Sequence, residues 1–179
     1  MIPVAEESSV QKFLDLFPAA IVIVTVGDEN ERAGMTASWN TQVSWDPPRI
    51  GVAIYHEWRT LELILKYKEF AVHLVSEDLL RIALSVFGGM SSRKVDKFKV
   101  IEEKYNIKVS KAKRIKAPII SEAPVILECK LSEHYVIGDH YLVVGDPIEA
   151  YGNLEKMPVV YFKGRAYKIG ELAKCMTKD

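Results

Sequence analysis

The sequence has little cysteine, no excess of either charge and no long hydrophobic run. Two cysteines, Cys129 and Cys175, are too few for a disulfide framework, so we expect a reducing, cytoplasmic location. The 24 basic and 24 acidic residues cancel, which argues against nucleic acid as the main partner. No apolar stretch approaches the roughly 20 residues that cross a bilayer. The N-terminus lacks a signal-peptide pattern. We therefore expect neither a membrane nor a nucleic-acid partner.

Several common catalytic motifs are also missing. No serine lies in a G-x-S-x-G elbow, and neither a G-x-G-x-x-G nor a Walker pattern occurs, so an elbow serine and a Rossmann cofactor site are excluded. His134 and His140 lie near Cys129, but a metal needs three or four converging ligands. No C-x-x-C or H-x-x-x-H pattern accompanies them. We predict no metal site, and we interpret Cys129 as a small buried apolar side chain.

What the sequence does contain is a 179-residue chain that is 49% apolar, enough for one domain over residues 1–179. Helical spacing predicts a helix at 59–67 and a second at 77–87, which Ser76 would cap. A polar loop is expected after Trp39. Short β-branched or alternating runs predict strands at 19–26, 32–39, 49–55, 70–75, 125–131, 140–144, 159–162 and 166–170. Hairpins with a few short helices close most easily as a small antiparallel barrel, so the fold class is mainly β.

The segment from Thr36 to Trp39 has the character of a ligand site. Small residues such as Ala37 let a flat ligand approach the backbone, and the hydroxyls of Thr36 and Ser38 add donors and acceptors. The proline pair at 47–48 fixes the backbone before the next strand, so that residues 53–55 are expected to end opposite this segment.

Other candidates each have two interpretations. Arg59 and Thr60 open a helix, where they either hold a phosphate or merely cap the helix beside a solvated arginine. Ser92 and Lys97 belong to a basic segment, which is either a phosphate-facing loop or a solvated one. His140 follows the predicted Gly138–Asp139 hairpin turn, and both a ligand-site histidine and a surface histidine fit that spacing.

These motifs, in this order, resemble the flavin reductase-like family, the FMN-binding split-barrel proteins that include flavoredoxins, archaeal ferric reductases and small flavin reductases. The matching stretches extend along nearly the whole chain. They are FPAAIVIVTV, GMTASW, VSWDPPRIGVAI, RT-x-x-x-I, FAVHLV, DKF, EAPVILECKL, GDHYLVVGDPI and VVYFKGRAYKIG. The resemblance implies a six-stranded antiparallel Greek-key split barrel with a few short covering helices. It also implies a homodimer with FMN near the subunit interface.

The same resemblance implies roles for particular residues. His140 would be the catalytic residue, near the flavin and the nicotinamide. The phosphate would be held by Arg59 and Thr60. The remaining cofactor contacts would come from Thr36, Ala37, Ser38, Trp39, Ala53, Ile54, Tyr55, Ser92 and Lys97.

The implied function is an oxidoreductase in which FMN takes electrons from NADH or NADPH and passes them to flavin, a ferric chelate or a protein. A non-enzymatic FMN electron carrier of the flavoredoxin type is the alternative. A barrel that binds single-stranded nucleic acid is disfavoured, because it would need a basic groove with stacking aromatics.

Overall fold

The computed structural model describes residues 7–170, which form a mainly β fold with antiparallel sheets, as expected. The strands are β1 (Ala19–Ala20), β2 (Val22–Gly27), β3 (Arg32–Ala37), β4 (Asn40–Trp45), β5 (Pro48–Tyr55), β6 (Glu69–Leu74), β7 (Val109–Lys111), β8 (Pro118–Ile120), β9 (Ile126–Ile137), β10 (His140–Tyr151), β11 (Val159–Phe162) and β12 (Arg165–Lys168). The helices are α1 (Glu7–Leu14), α2 (Arg59–Tyr67), α3 (Leu80–Ile82) and α4 (Lys97–Tyr105). The assignment of residues 1–179 to one domain stays a prediction.

Seven strands form the main sheet, in the order β3-β2-β6-β9-β10-β5-β4. Its two edge strands, β3 and β4, are separated along the chain only by Ser38 and Trp39. Such a link spans roughly 10 Å, so the sheet must curl until its edges approach each other. The Ala53 N–H donates to the Trp39 carbonyl at 2.9 Å and ties β5 to this link. The predicted count of six strands is not confirmed, because residues 40–45 add a strand to the sheet.

Two apolar clusters lie on opposite faces of the curled sheet. Val22 and Val24 of β2 belong to the cluster that α2 covers, whereas Ile23, and Ile21 just before the strand, belong to the cluster under α3 and α4. This is the two-residue alternation of a strand, and it explains why every residue of β2 is buried. The helices therefore close the barrel and also cover its outer face.

The polar loop that we expected after Trp39 is strand β4, which pairs with β5. Its side chains are mostly exposed, so it carries no apolar alternation that the sequence could have shown. The strand predicted over residues 32–39 ends earlier, at Ala37, because the chain leaves one edge of the sheet there and begins the other edge at Asn40. The proline pair lies where expected, with β5 beginning at Pro48.

The helix predicted over residues 77–87 exists but changes geometry along its length. A 3₁₀ turn (Glu77–Leu79) leads into α3, and a π turn (Ala83–Phe87) follows. Ser76 lies at the N-cap position, but its hydroxyl contacts the Asp78 carboxylate instead of a helix N–H group. The π turn directs the end of this helix toward β3, where it forms part of the candidate site.

The hairpin at Gly138 is confirmed, with Ile137 paired to His140 and a φ of 61° at the glycine. Glu128 in β9 is fully buried although it is an acidic residue. Its carboxylate accepts N–H groups from residues 113–115 and the Tyr151 hydroxyl. Burial opposes ionisation, but these hydrogen bonds outweigh it and lower the pKa of Glu128.

Candidate functional site

A cavity of about 220 Å³ lies between β3, the start of α2, the π turn and the loop that precedes α4. Six of the residues predicted from the sequence line it, and they come from β3, β5, α2, the loop before α4 and α4 itself. These are Thr36, Tyr55, Arg59, Thr60, Ser92 and Lys97. The fold therefore brings together the hydroxyl, arginine and lysine candidates that lie up to about 60 residues apart in sequence.

The start of α2 forms one wall of the cavity. The N-cap residue, Trp58, makes no side-chain hydrogen bond to the helix, and its indole is 46% exposed. Thr60 in the first turn is buried and lines the cavity. The first N–H groups of a helix have no partner within the helix and carry a partial positive charge, so this wall suits an anion.

Arg59 at the same wall is held by two carboxylates. Its guanidinium donates to Glu62, one turn along α2, and to Glu31 in the turn between β2 and β3. The hydrogen bond from Arg59 lowers the pKa of Glu62. Arg59 is therefore fixed at the cavity with both terminal nitrogens engaged.

Lys97 forms the opposite wall and is only 4% exposed. Its Nζ donates to the carbonyls of Gly34 and Phe87, each at 2.8 Å. Burial lowers the pKa of Lys97 to about 8, since removal from water disfavours the charged ammonium form. An ammonium group has three donors, so one N–H remains beyond these two contacts.

The beginning of α4 explains why Lys97 points inward. Asp96 caps the helix by accepting the N–H groups of Phe98 and Lys99, and its carboxylate also binds Arg32 at 2.8 Å. The cap therefore ties α4 to β3. Ser92 adds a second tie, because its hydroxyl donates to the Gly34 carbonyl at 3.2 Å.

The π turn completes the cavity by bringing Phe87 against β3. The Thr36 hydroxyl donates to the Ala83 carbonyl at 2.5 Å, and the Gly88 N–H donates to the same carbonyl at 2.8 Å. A β-carbon on Gly34 would lie 2.6 Å from the Phe87 ring, so only glycine fits under it. Neither Gly34 nor Phe87 was predicted as a site residue, and the lone glycine in a strand is the only sequence signal for either.

Five of the predicted flavin contacts do not line this cavity. Ala37 and Ile54 face the core, because strand alternation turns them away from Thr36 and Tyr55. Ser38 and Trp39 line a second cavity of about 290 Å³, and Ala53 lines neither.

His140 also lies outside the cavity but close to its wall. Its ring centroid is 5.6 Å from that of Tyr55 and 4.7 Å from that of Trp39. Its Nδ1 lies 2.7 Å from an Asp139 carboxylate oxygen. Tyr55 lines the cavity, so its ring contact with His140 places the histidine next to the site.

Comparison with known proteins shows the family to which the chain belongs. A model described as the flavin reductase like domain matches residues 14–170. The chain belongs to the flavin reductase-like family. A protein of Archaeoglobus fulgidus is 33% identical over 131 residues, which cover 73% of this chain and 71% of the relative.

Flavin reductase-like proteins of Streptomyces globisporus are similar in both sequence and structure. An NADH-dependent FAD reductase is 28% identical over 134 residues, covering 75% of this chain and 70% of the relative. The NADH:FAD oxidoreductase SgcE6, solved in complex with NAD and FAD fragments, has a TM-score of 0.81 at 25% identity. The match covers 94% of this chain and 96% of that structure. The chain is thus similar to proteins named for the reduction of FAD with NADH.

The donor set of the cavity fits the flavin that a flavin reductase-like protein binds. A helix start and an arginine suit a phosphate, whereas hydroxyls and a lysine suit the carbonyl-rich edge of a flavin ring. At about 220 Å³ the cavity is smaller than typical ligand sites of ~300–1,000 Å³, so a flavin would extend beyond its mouth.

Other kinds of site find little support in residues 7–170. No group of three or more His, Cys, Asp or Glu side chains there could hold a metal ion. Cys129 is buried, and burial raises the pKa of its thiol to about 12, which keeps it protonated. Cys175 lies outside the described residues. None of the described helices is long and apolar enough to cross a membrane.

Proposed function

We propose that this chain is an NAD(P)H-dependent flavin reductase that binds FMN in the cavity between β3, α2 and the loop before α4. The observation that supports it is the convergence of an uncapped helix start, Arg59 and the buried Lys97 on one cavity. A bound flavin supplies the hydride chemistry, and the protein supplies binding, orientation and electrostatics.

Each wall has its own role in this proposal. Arg59, Thr60 and the first N–H groups of α2 hold the phosphate. Lys97, Thr36 and Ser92 contact the ring or the ribityl chain. The positive charge of Lys97, held in a site of low water content, favours the extra negative charge of the reduced cofactor.

His140 is proposed to orient the nicotinamide of the electron donor. Its ring lies against Tyr55 and Trp39, which present flat surfaces at the edge of the cavity. The Asp139 carboxylate holds its Nδ1 and so fixes the ring, and the hydrogen bond from His140 lowers the pKa of Asp139. The backbone of residues 38–39 and 53 lies near the same edge.

The names of the relatives support a reductase more than a carrier. The two Streptomyces globisporus proteins are named an NADH-dependent FAD reductase and an NADH:FAD oxidoreductase. We therefore propose free flavin as the first acceptor, with a ferric chelate or a protein as other acceptors. NADPH as the donor and the cytoplasmic location stay predictions.

A homodimer is part of the proposal. The tip of the β9–β10 hairpin exposes Tyr135, Val136 and Ile137 at 50–67%, and Trp45 at the end of β4 is 86% exposed. Exposed apolar patches of this kind mark protein interfaces. A second copy could also cover the part of the flavin that one chain leaves exposed. Light scattering after size exclusion is expected to give twice the 20.2 kDa chain mass.

The proposed function is tested by steady-state reduction of FMN, FAD and a ferric chelate side by side, with NADH and then NADPH. We expect protein-dependent oxidation of at least one nicotinamide with FMN or FAD, strongly reduced in Arg59→Ala when FMN is used. A protein that binds no flavin and accelerates none of these reactions would contradict the proposal.

A further inference from the structure

The arginine at the phosphate end of the cavity is already occupied. Arg59 donates through Nη1 to Glu62 and through Nη2 to Glu31. Its side chain is 23% exposed, so both ion pairs are partly shielded from water. A phosphate that reaches Arg59 must displace one of these carboxylates or bind beside them.

The carboxylates of Glu31 and Glu62 each have further partners besides Arg59. Moving either carboxylate away from Arg59 would therefore break additional contacts. Lys66 donates to Glu31, and the Tyr67 hydroxyl lies 3.4 Å from the same carboxylate oxygen. On the other side, Arg93 Nη2 lies 3.1 Å from Glu62. The network joins the β2–β3 turn, α2 and the loop before α4 around the mouth of the cavity.

The two carboxylates of this network weaken its attraction for an anionic ligand. Two carboxylates offset most of the charge of Arg59, Lys66 and Arg93. A phosphate monoester carries about −1.5 to −2 charges near neutral pH, so each glutamate both repels it and competes for the arginine. The start of α2 attracts the same phosphate. The binding strength of the site is thus the difference between two contributions. The helix end and the three cations attract the phosphate, and the two carboxylates repel it and compete with it.

Resting on the flavin site proposed above, we propose that Glu31 and Glu62 compete with the flavin phosphate for Arg59 and so keep the flavin exchangeable. The bound flavin is then a substrate that enters and leaves during turnover, and it is not a permanently held group. The two glutamates act as specificity-determining residues because their effect falls only on ligands with a phosphate.

Flavin binding by fluorescence tests this directly, with FMN and riboflavin as the two probes. The proteins compared are the unchanged chain, Glu62→Gln, Glu31→Gln and the control Glu133→Gln. Glu133 is a good match for Glu62, because it also pairs with an arginine and the two are 46% and 50% exposed. Its arginine partner is Arg49 and not Arg59, and all three variants change the net charge equally.

We expect the Kd for FMN to fall about 3- to 10-fold in Glu62→Gln and Glu31→Gln, from the loss of one ion pair and one repulsion. The Kd for riboflavin stays unchanged, and Glu133→Gln matches the unchanged chain with both probes. FMN affinities that are equal in all four proteins, or an equal gain for riboflavin, overturn this inference and leave the proposed reductase standing. If the unchanged chain binds neither flavin, the proposed function and this inference both fail.

Discussion

His73 is expected to make the stability of this protein depend on pH in a way that can be worked out from its contacts. Its side chain is completely buried, Nδ1 lies 3.1 Å from the Ile23 carbonyl, and Nε2 accepts the Ile120 N–H at 3.2 Å. A nitrogen that accepts carries no proton, so the ring is neutral with its proton on Nδ1. Burial lowers the pKa of His73 from 6.5 to about 4.

The sign and size of the effect follow from linkage. Between pH 6.5 and 4 the unfolded chain binds a proton at His73 and the folded chain does not, so the free energy of unfolding falls as the pH falls through this window. With these two pKa values the loss from pH 7.5 to pH 5 is about 2 kcal/mol. For a chain of this size that corresponds to roughly 4–8 °C in Tm.

The assay is urea unfolding, followed by tryptophan fluorescence at pH 7.5 and pH 5, of the unchanged chain, His73→Gln and His134→Gln. Glutamine at position 73 can still accept the Ile120 N–H but does not titrate. We therefore expect His73→Gln to be less stable at pH 7.5 and to lose clearly less on acidification. His134 is exposed, so its variant keeps the full loss. The reasoning is wrong if the unchanged chain is equally stable at both pH values, or if His73→Gln loses as much as the unchanged chain.

Three further substitutions test the site and the core. Arg59→Ala is expected to weaken FMN binding about tenfold and to leave riboflavin binding unchanged, since a charge-assisted contact to phosphate is lost. Lys97→Met removes the cation that joins two backbone carbonyls at the cavity, so flavin binding weakens severalfold, while Lys99→Met on the exposed side of α4 has no effect. Gly145→Ala brings a β-carbon within 2.5 Å of the Phe70 ring and is expected to lower the free energy of unfolding by about 1–3 kcal/mol.

Each of these three predictions can be contradicted by a specific result. Equal losses for FMN and riboflavin in Arg59→Ala would mean that the arginine shapes the cavity without binding a phosphate. Equal flavin binding by Lys97→Met and Lys99→Met would mean that Lys97 does not contribute to flavin binding. If Gly145→Ala has the same urea midpoint of unfolding as the unchanged chain, the core accommodates the added methyl group.

Helices and strands were predicted well where burial of one face gives their apolar residues a regular spacing. Strand β2 and helix α2 were predicted close to their observed bounds, because their apolar residues face a core. Strand β4 was missed because its side chains are mostly exposed, and β9 was predicted short because its outer half is exposed. At the edges of a sheet, pairing is set by the backbone, which leaves little pattern in the residue types.

The site was predicted in part for a related reason. Thr36, Tyr55, Arg59, Thr60, Ser92 and Lys97 converge on one cavity, as the motifs suggested. Ala37 and Ile54 were predicted with their neighbours, but strand alternation turns them to the core. Phe87 reaches the cavity through a π turn, and the glutamates at Arg59 come from a turn and a helix face. Contacts that depend on tertiary placement of this kind are not encoded in local spacing.

The central claim is that this cavity binds a flavin that NAD(P)H can reduce. The most direct test is anaerobic rapid mixing of the FMN-loaded chain with NADH and with NADPH, followed through the visible absorbance of the flavin. We expect at least one nicotinamide to bleach the protein-bound flavin much faster than it bleaches free FMN. Bleaching at the rate of free FMN with both donors, or no binding of FMN by the chain even in excess FMN, would contradict the proposed function.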